Sequence, residues 1–453
     1  MSHLVVVGFD EIVSDKYITC IEQAIAANSI DGYSVIDLED QQENVLKRVA
    51  QLTLKPHGLY FLPSPTRVAS WANIDDIIPV FKQMRKDKEQ LKVYIATELK
   101  AHESYLRYCV EEGIDCLVEK PIFAPLRNGL FEPDLIMPTM EALLDSAAEK
   151  PASHSVMTLS RYHSIYNDLV IASLKQKMLE LQAPLTSFHF RTAGGVWNLH
   201  HEYEIREDHP YKYGYGMIMH GGYHYIDLSA QFLHLNKLIF PKETFILTVN
   251  SFAAYPQDQN DRVSKKISAI FDDNRPEWSG GLTNASIYGE TDVTSIFRLS
   301  LKESDKTITI GTISLEQTTP SIRTWKDIPE NLYNKNGRVS SVNFEAQLSI
   351  LHSINVECFD IPIQRKRKIE RIDAFARVST RSNASLLDDE EFTSSSTFNG
   401  LFHSDSNRKL MLKWLLDEEH RSRLQDHIIP MRMTQLIASS IKKPYQAVSM
   451  EIF

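Results

Sequence analysis

Short apolar runs alternate with longer amphipathic ones over the first 125 residues. LVVVGF (4–9) is continuously apolar, which predicts a strand buried on both faces, and SDKYITCIEQAIAANS (14–29) has the spacing of the helix that follows it. YSVIDL (33–38), GLYFLPS (58–64), KVYIATE (92–98) and IDCLVEKP (114–121) repeat the strand pattern, and SHSVMTLS (153–160) predicts a sixth strand. QENVLKRVAQL (42–52), IDDIIPVFKQMRKDKEQ (74–90) and AHESYLRYCVEEG (101–113) are helical between them, with Gly113 as a C-cap. Strands alternating with helices predict a doubly wound α/β domain with a parallel sheet of the nucleotide-binding type.

Beyond residue 160 the period changes. LTSFHFRT, ETFILTVNSF, SIFRLSL, TITIGTISLEQ and SVNFEAQLSILHSI alternate apolar and polar positions, the signature of strands with one wet face. This predicts an α+β second domain with a large, mostly antiparallel open sheet. The boundaries expected are 1–160 for a Rossmann-type domain and 161–453 for a substrate-binding and oligomerisation domain. PQDQNDR (256–262) and DDNRPEWSGG (272–281) read as polar loops, and the serine- and acid-rich 382–397 as a mobile surface segment. IIPMRMTQLIASSIKK returns to a helical period.

Composition narrows the function classes. With 43% hydrophobic and 24% charged residues and no apolar run of membrane length, the chain reads as a soluble globular protein. The start MSHLVVVGFDEIV lacks the basic region and cleavage site of a secretory signal, so a cytoplasmic location is expected. A net charge of −10 with interspersed signs argues against a nucleic-acid surface. The one basic run, RKRK at 365–368, reads as a solvated strand end or turn. Cys20, Cys109, Cys116 and Cys358 have no C-x-x-C spacing and are read as reduced and mostly buried.

Candidate chemistry gathers at three places. The turn after the first strand reads GFDEIV, where a dinucleotide turn has G-x-G-x-x-G. Gly8 keeps the first position, but Asp10 and Val13 take the next two, and Asp10 with Glu11 brings negative charge to where a phosphate lies. Asp10 or Ser14 capping the helix is the competing reading. Asp37, ending the second strand, stands where an acid meets a ribose, or is a plain turn residue. Glu119-Lys120-Pro121 closes the fifth strand, where a lysine projects either into the ligand crevice or into solvent, and ATE (96–98) and His102 line the same edge. HGGYHYID carries His220 and His224. They share a helix face only if the helix begins near 220, and Gly221-Gly222 equally permits a loop. Gly221 stands where a zinc motif has glutamate, so no metal is expected there. Buried structural histidines and acid/base work by His224 remain the two readings.

Three segments taken together, KVYIATELKAHESYLRYCVEEGIDCLVEKPI, SVMTLSRYHSIYNDL and YKYGYGMIMHGGYHYIDL, resemble the glucose-fructose oxidoreductase, inositol dehydrogenase and MocA family. The resemblance implies a Rossmann domain binding NAD or NADP, with Asp37 favouring NAD. It also implies hydride transfer to or from a carbon of a sugar, amino sugar or cyclitol. Lys120 then contacts nicotinamide and substrate, His224 is the acid/base with His220 beside it, and Asp227 is structural. Gly8, Phe9, Asp10, Asp37, Thr97, Glu98, His102 and Glu119 border the cofactor. Arg161, Tyr162 and His163 begin the substrate crevice, joined by Asn198, His200 and Tyr213. The chain departs from the family's pattern at His220, where aspartate is usual, and at Glu98, where proline is usual. A homo-oligomer, dimer or tetramer, is expected. Two other readings stand beside this one: a binding or scaffold protein without redox chemistry, and acid/base chemistry such as elimination or epimerisation.

Overall fold

The computed structural model describes residues 1–64, 74–88, 90–198, 200–262, 266, 287–320, 341–365, 368–387, 392–400 and 403–453. The chain divides into two compact units, Met1–Tyr162 with Ser404–Met431, and His163–His403 with Arg432–Phe453.

Strands β1 (Ser2–Val7), β2 (Ile30–Leu38), β3 (Leu59–Leu62), β4 (Leu91–Ile95) and β5 (Asp115–Glu119) belong to the first unit. A small hairpin, β6 (Leu126–Arg127) and β7 (Leu130–Phe131), precedes β8 (His154–Met157). The six long strands form one parallel sheet in the order β3-β2-β1-β4-β5-β8. Buried on both faces, β1 and β4 are apolar except at Ser2, His3 and Lys92, because helices cover each side. Those helices are α1 (Ile18–Ala26), α2 (Gln42–Gln51), α3 (Ile74–Asp87), α4 (Leu99–Glu112) and α5 (Ile136–Ala148). Gly113 ends α4 at φ +64, its amide and that of Ile114 closing the last turn onto Val110 and Cys109, the C-cap expected from the sequence. A π-helical turn, Val13–Tyr17, leads into α1.

In the second unit, β9 (Ser187–Trp197), β10 (Phe245–Ala254), β11 (Asp292–Leu301), β12 (Thr307–Pro320), β13 (Val342–Leu348), β14 (His352–Arg365), β15 (Lys368–Ser382), β16 (Thr393–Asn399) and β17 (Val448–Glu451) make a nine-stranded sheet. Its order is β16-β15-β14-β13-β9-β12-β11-β10-β17, and only β9 with β12 pairs parallel. Helices α6 (Ala172–Leu181), α7 (His200–Ile205), α8 (Tyr223–His234) and α9 (Pro256–Asp261) precede or interrupt these strands. Phe188, Phe190, Phe232 and Phe344 form its core, with Phe188 and Phe232 stacked at 4.9 Å. Along β13 buried positions alternate with wetter ones, as the period of two requires.

Two loop assignments made from sequence are corrected. PQDQND is helix α9, its start capped by the Asp258 carboxylate on the Tyr255 amide. Residues 393–399 of the serine-rich stretch are strand β16, because their hydroxyls pair across it, Ser395 with Ser379 at 3.0 Å and Ser394 with Thr380 at 2.7 Å. Residues 388–391 of that stretch lie outside the described residues, as does the loop 272–281. Arg365 and Lys368 pair at the β14–β15 turn, and the two residues between them also lie outside. All four cysteines are buried. Among the described residues no helix is long and apolar enough to cross a membrane.

The last two helices are α10 (His403–Leu415) and α11 (Ile428–Ile441). Leu410, Met411, Trp414 and Leu415 of α10 share the first unit's core with Leu4, Val6 and Val35. Lys92, 1% exposed, holds the end of this helix: its ammonium donates to Trp414 O at 2.8 Å, Leu415 O at 3.3 Å and Asp417 Oδ1 at 2.6 Å. Lys92→Met leaves those carbonyls without their donor, so a loss of about 1–3 kcal/mol is expected in urea unfolding. An unchanged unfolding midpoint would show the clamp to be dispensable.

Candidate functional site

The order β3-β2-β1-β4-β5-β8 reverses between β1 and β4, and a crevice at such a switch point, outside the carboxyl ends of the strands, is where doubly wound sheets bind ligands. Gly8 sits there at φ +84, so close to β4 that an added Cβ would lie 2.8 Å from Ala96 O. Only glycine fits this turn. Phe9 is buried, and its amide donates to Asp37 Oδ2 at 2.7 Å, while Leu38 N donates to Oδ1 at 2.8 Å. Burial pushes the Asp37 carboxyl above its ordinary range against the pull of these two amides. Gly8, Phe9, Asp37 and the β4 end before Thr97 are thus brought together.

Asp10 does something else. Its Oδ1 accepts from Ile12 N at 2.9 Å and Val13 N at 3.1 Å, and its carbonyl accepts from Ser14 N at 3.2 Å. These bonds make Asp10 the helix cap, the competing reading of the turn. The first-turn amides that a pyrophosphate would approach already face this chain's own carboxylate.

The β4 and β5 ends are tied by His102. Its ring nitrogens face Pro121 O at 2.9 Å and Thr97 O at 3.0 Å, and burial lowers its pKa despite both carbonyls. The ring therefore ties the backbone just after Lys120 to the loop that follows β4. Glu98, half-buried, opens α4. Lys120 is half-buried, and its amide donates to Glu119 Oε2 at 3.3 Å. Glu119 Oε1 accepts from Tyr94 Oη at 2.7 Å and from Tyr17 Oη at 3.5 Å. Both phenols are pushed well above their ordinary pKa, first by burial and then by the Glu119 charge. No sequence signal marked Tyr17 or Tyr94, because a tyrosine in an apolar run reads as core.

Arg161 and Tyr162 face the returning C-terminal segment. Arg161 donates to Asp426 O at 2.8 Å and Arg421 O at 3.4 Å, and Tyr162 Oη accepts from Arg421 N at 2.6 Å.

In the second unit His163 caps the π-helical stretch Ser164–Ile171: its Nδ1 accepts from Ile165 N and Tyr166 N, both at 3.3 Å. An amide chain runs from His163 N through Asn167 and the half-buried Gln231 to Asp227, with links of 2.9, 3.0 and 3.1 Å. His224, 8% exposed, lies in the first turn of α8 on the same helix as Asp227. This helix starts at Tyr223, so His220 stands in the turn before it rather than on its face. Around the His220 ring stand Tyr211 at 4.8 Å, His209 at 5.1 Å and Tyr215 at 5.7 Å, all edge-on. Asn198 Oδ1 accepts from Arg206 at 2.6 Å, and Tyr213 Oη donates to Glu207 Oε2 at 3.0 Å. His200 opens α7, and its side chain lies outside the described residues.

Sequence reasoning missed the groups behind His220. Tyr203 Oη donates to Gln259, Gln259 Nε2 donates to Gln317 Oε1 at 3.0 Å, and Gln317 Nε2 donates to Tyr211 Oη. A cavity of about 520 Å³ opens beside this chain, lined among others by Trp197, Gln259, Arg262, Asp292, Glu316 and Gln317. Glu290 is buried, its Oε1 accepting from Ile218 N at 3.0 Å and its carbonyl from Met217 N at 2.8 Å. Burial pushes its carboxyl up to about 7. The residues of this cluster come from four separated stretches of chain, so no local motif announces them.

No protein-family model matches the sequence, and no curated protein matches it. Solved structures do resemble it. Levoglucosan dehydrogenase in complex with NADH and levoglucosan superposes with a TM-score of 0.53 at 12% identity, over 100% of this chain and 99% of that one. An Agrobacterium radiobacter oxidoreductase in complex with NAD+, L-tartaric acid and magnesium gives 0.52 at 10% identity, over 99% and 98%. Aldose-aldose oxidoreductase from Caulobacter crescentus, complexed with glycerol, gives 0.53 at 9% identity, over 99% of each chain. A parallel six-stranded sheet with flanking helices, followed by a mostly antiparallel nine-stranded sheet, is thus the fold this chain shares with those oxidoreductases.

Proposed function

We propose that the chain is an NAD(P)-dependent oxidoreductase that moves a hydride to or from a carbon of a sugar, amino sugar or cyclitol. The observation that carries this reading is the Gly8–Asp37 arrangement at the β1/β4 switch point. A backbone that approaches without a side chain suits a dinucleotide, and an acid ending β2 suits a ribose and repels a 2′-phosphate, which favours NAD. These residues fit the ribose end of the cofactor. At the pyrophosphate, binding requires the Asp10 carboxylate to leave the Ile12 and Val13 amides. When bound, the nicotinamide supplies the hydride acceptor or donor.

This reading assigns Lys120, in the first unit, to orienting the reacting hydroxyl through its ammonium. It assigns His224, in the second, to taking or returning the hydroxyl proton, a task suited to an imidazole near neutral pH. A polyhydroxylated substrate accords with the lining of the cavity beside Gln317, which combines Trp197 with Gln259, Arg262, Asp292, Glu316 and Gln317. A cytoplasmic, homo-oligomeric protein belongs to the same reading. The self-capped turn at Asp10 favours a second one, in which the crevice serves binding or non-redox acid/base chemistry.

Titration of the wild type and Asp10→Gly with NADH and NADPH, followed by nicotinamide fluorescence, separates the two. Saturable binding with NADH the tighter is expected. Glycine frees both amides and removes a repulsion of roughly 1–3 kcal/mol, so its Kd falls about ten- to a hundredfold. Absence of saturation by either nucleotide in both folded proteins would remove the redox reading.

A further inference from the structure

Three side chains that no motif links meet at the amino end of the parallel sheet, away from the carboxyl ends that carry Gly8 and Asp37. His3 in β1, Asp31 in β2 and His57 in the connection before β3 offer one ligand atom each, all within 4.8 Å of one another. His3 is 2% exposed and held at both nitrogens, Nδ1 facing Asp31 Oδ1 at 2.6 Å and Nε2 facing Ser34 Oγ at 2.9 Å. Asp31 Oδ2 accepts from Lys88 Nζ at 2.5 Å. The exposed His57 ring lies parallel to that of His3, with centroids 5.4 Å apart and planes at 24°.

His57 is seated by the backbone. Its amide donates to Tyr33 O at 2.7 Å, and Val35 N donates to Gly58 O at 3.0 Å. Gly32 lies beneath the ring at φ +151, and an added Cβ would stand 2.3 Å from His57 Cε1. Glycine at this position is what lets the imidazole come down beside Asp31. The Asp31–His3–Ser34 chain is complete without it, and no hydrogen bond engages the His57 ring among the described residues.

We infer that His3, Asp31 and His57 form a binding site for a borderline divalent ion, Zn2+ first, held by two imidazole nitrogens and one carboxylate oxygen with water in the fourth position. That donor set suits zinc and its neighbours and disfavours magnesium and calcium, which take oxygen ligands. Ligating imidazoles and carboxylates characteristically carry outer hydrogen-bond partners, and here Ser34 and Lys88 supply them. On binding, the neutral ring of His3 moves its proton from Nδ1 to Nε2, donates it to Ser34, and turns a lone pair to the ion. No net proton is released. Burial lowers the pKa of His3 against the pull of the Asp31 carboxylate. The Asp31–His3 contact opens to about 3 Å to admit the ion. Lys88, a competing cation on the same carboxylate, weakens the site without closing it.

The test is calorimetric titration of the full chain with Zn2+ and, as control, Mg2+, for the wild type, His57→Ala and Lys88→Met. One zinc at micromolar Kd, with a raised Tm, is expected for the wild type, and no response to Mg2+. His57→Ala, which leaves the buried chain through His3 intact, weakens binding at least tenfold and abolishes the Tm shift. Lys88→Met tightens binding several-fold, an effect a purely structural cluster would not give. Equal zinc affinity in the wild type and His57→Ala, or no zinc binding by the wild type, overturns the inference.

Discussion

Replacing Lys120 by methionine is expected, under the proposed redox reading, to lower kcat/KM about 10²- to 10⁴-fold on whichever sugar, amino sugar or cyclitol serves as substrate, the range for removing a positioned proton-handling group. Methionine keeps the length and the apolar stem and deletes only the ammonium. The backbone around Lys120 is held independently, by His102 on Thr97 and Pro121 and by Glu119 on the Lys120 amide, so the variant folds with an unchanged Tm. Dinucleotide affinity changes much less than turnover, which separates a role at the reacting carbon from a role in cofactor binding. Full activity in Lys120→Met would remove the lysine from the chemistry and return it to the reading in which it projects into solvent.

Glu290→Gln is expected to stabilise the second unit by about 3 kcal/mol at pH 8 and by little near pH 4.5. The sign follows from the direction of the shift. The ordinary value of 4.5 describes the unfolded chain, and burial raises the folded one to about 7. Stability from this group is complete below 4.5, is lost as pH rises toward 7, and stays lost above it, because the folded state must then ionise a buried acid or hold it protonated against the solvent. Glutamine accepts from the Ile218 amide as the neutral acid does and has no charge to bury. Urea unfolding of both proteins at pH 5 and pH 8 reads the difference. A gap that does not depend on pH would mean Glu290 is ionised without cost. The loop that Glu290 holds leads into His220 and His224, so under the proposed function the same ionisation is expected to give activity a pH dependence that the variant lacks.

Element types were legible in the sequence wherever burial is a local pattern. β1 and β4 read as buried strands because a parallel strand covered on both faces carries apolar side chains at nearly every position. β13 read as half-wet because its side chains alternate between core and solvent. Gly113 was readable as a helix end, and Gly8 and Asp37 as turn residues at the ends of β1 and β2, since each sits at a fixed offset from a strand or helix. The serine-rich β16 was not, because its stability comes from hydroxyl pairs with a strand that the one-dimensional pattern does not place beside it.

Two assignments needed the folded chain even at short range. Asp10 offered both a phosphate clash and a helix cap, and only the positions of the Ile12 and Val13 amides decided for the cap. His220 and His224 offered one helix face or two environments, and the helix start at Tyr223 separated them.

The sequence by itself therefore determined the strand and helix order, the change from parallel to antiparallel texture, and the turn residues at the carboxyl ends of the first sheet. Tertiary structure alone decided that 404–431 returns to the first unit, where Lys92 caps α10, that Glu290 is buried against 216–218, and that His3, Asp31 and His57 share one corner. The physical reason is range. Hydrophobic periodicity reports which side of a local element meets the core, whereas a buried charge or a ligand cluster is defined by groups brought together from distant segments when the chain closes on itself.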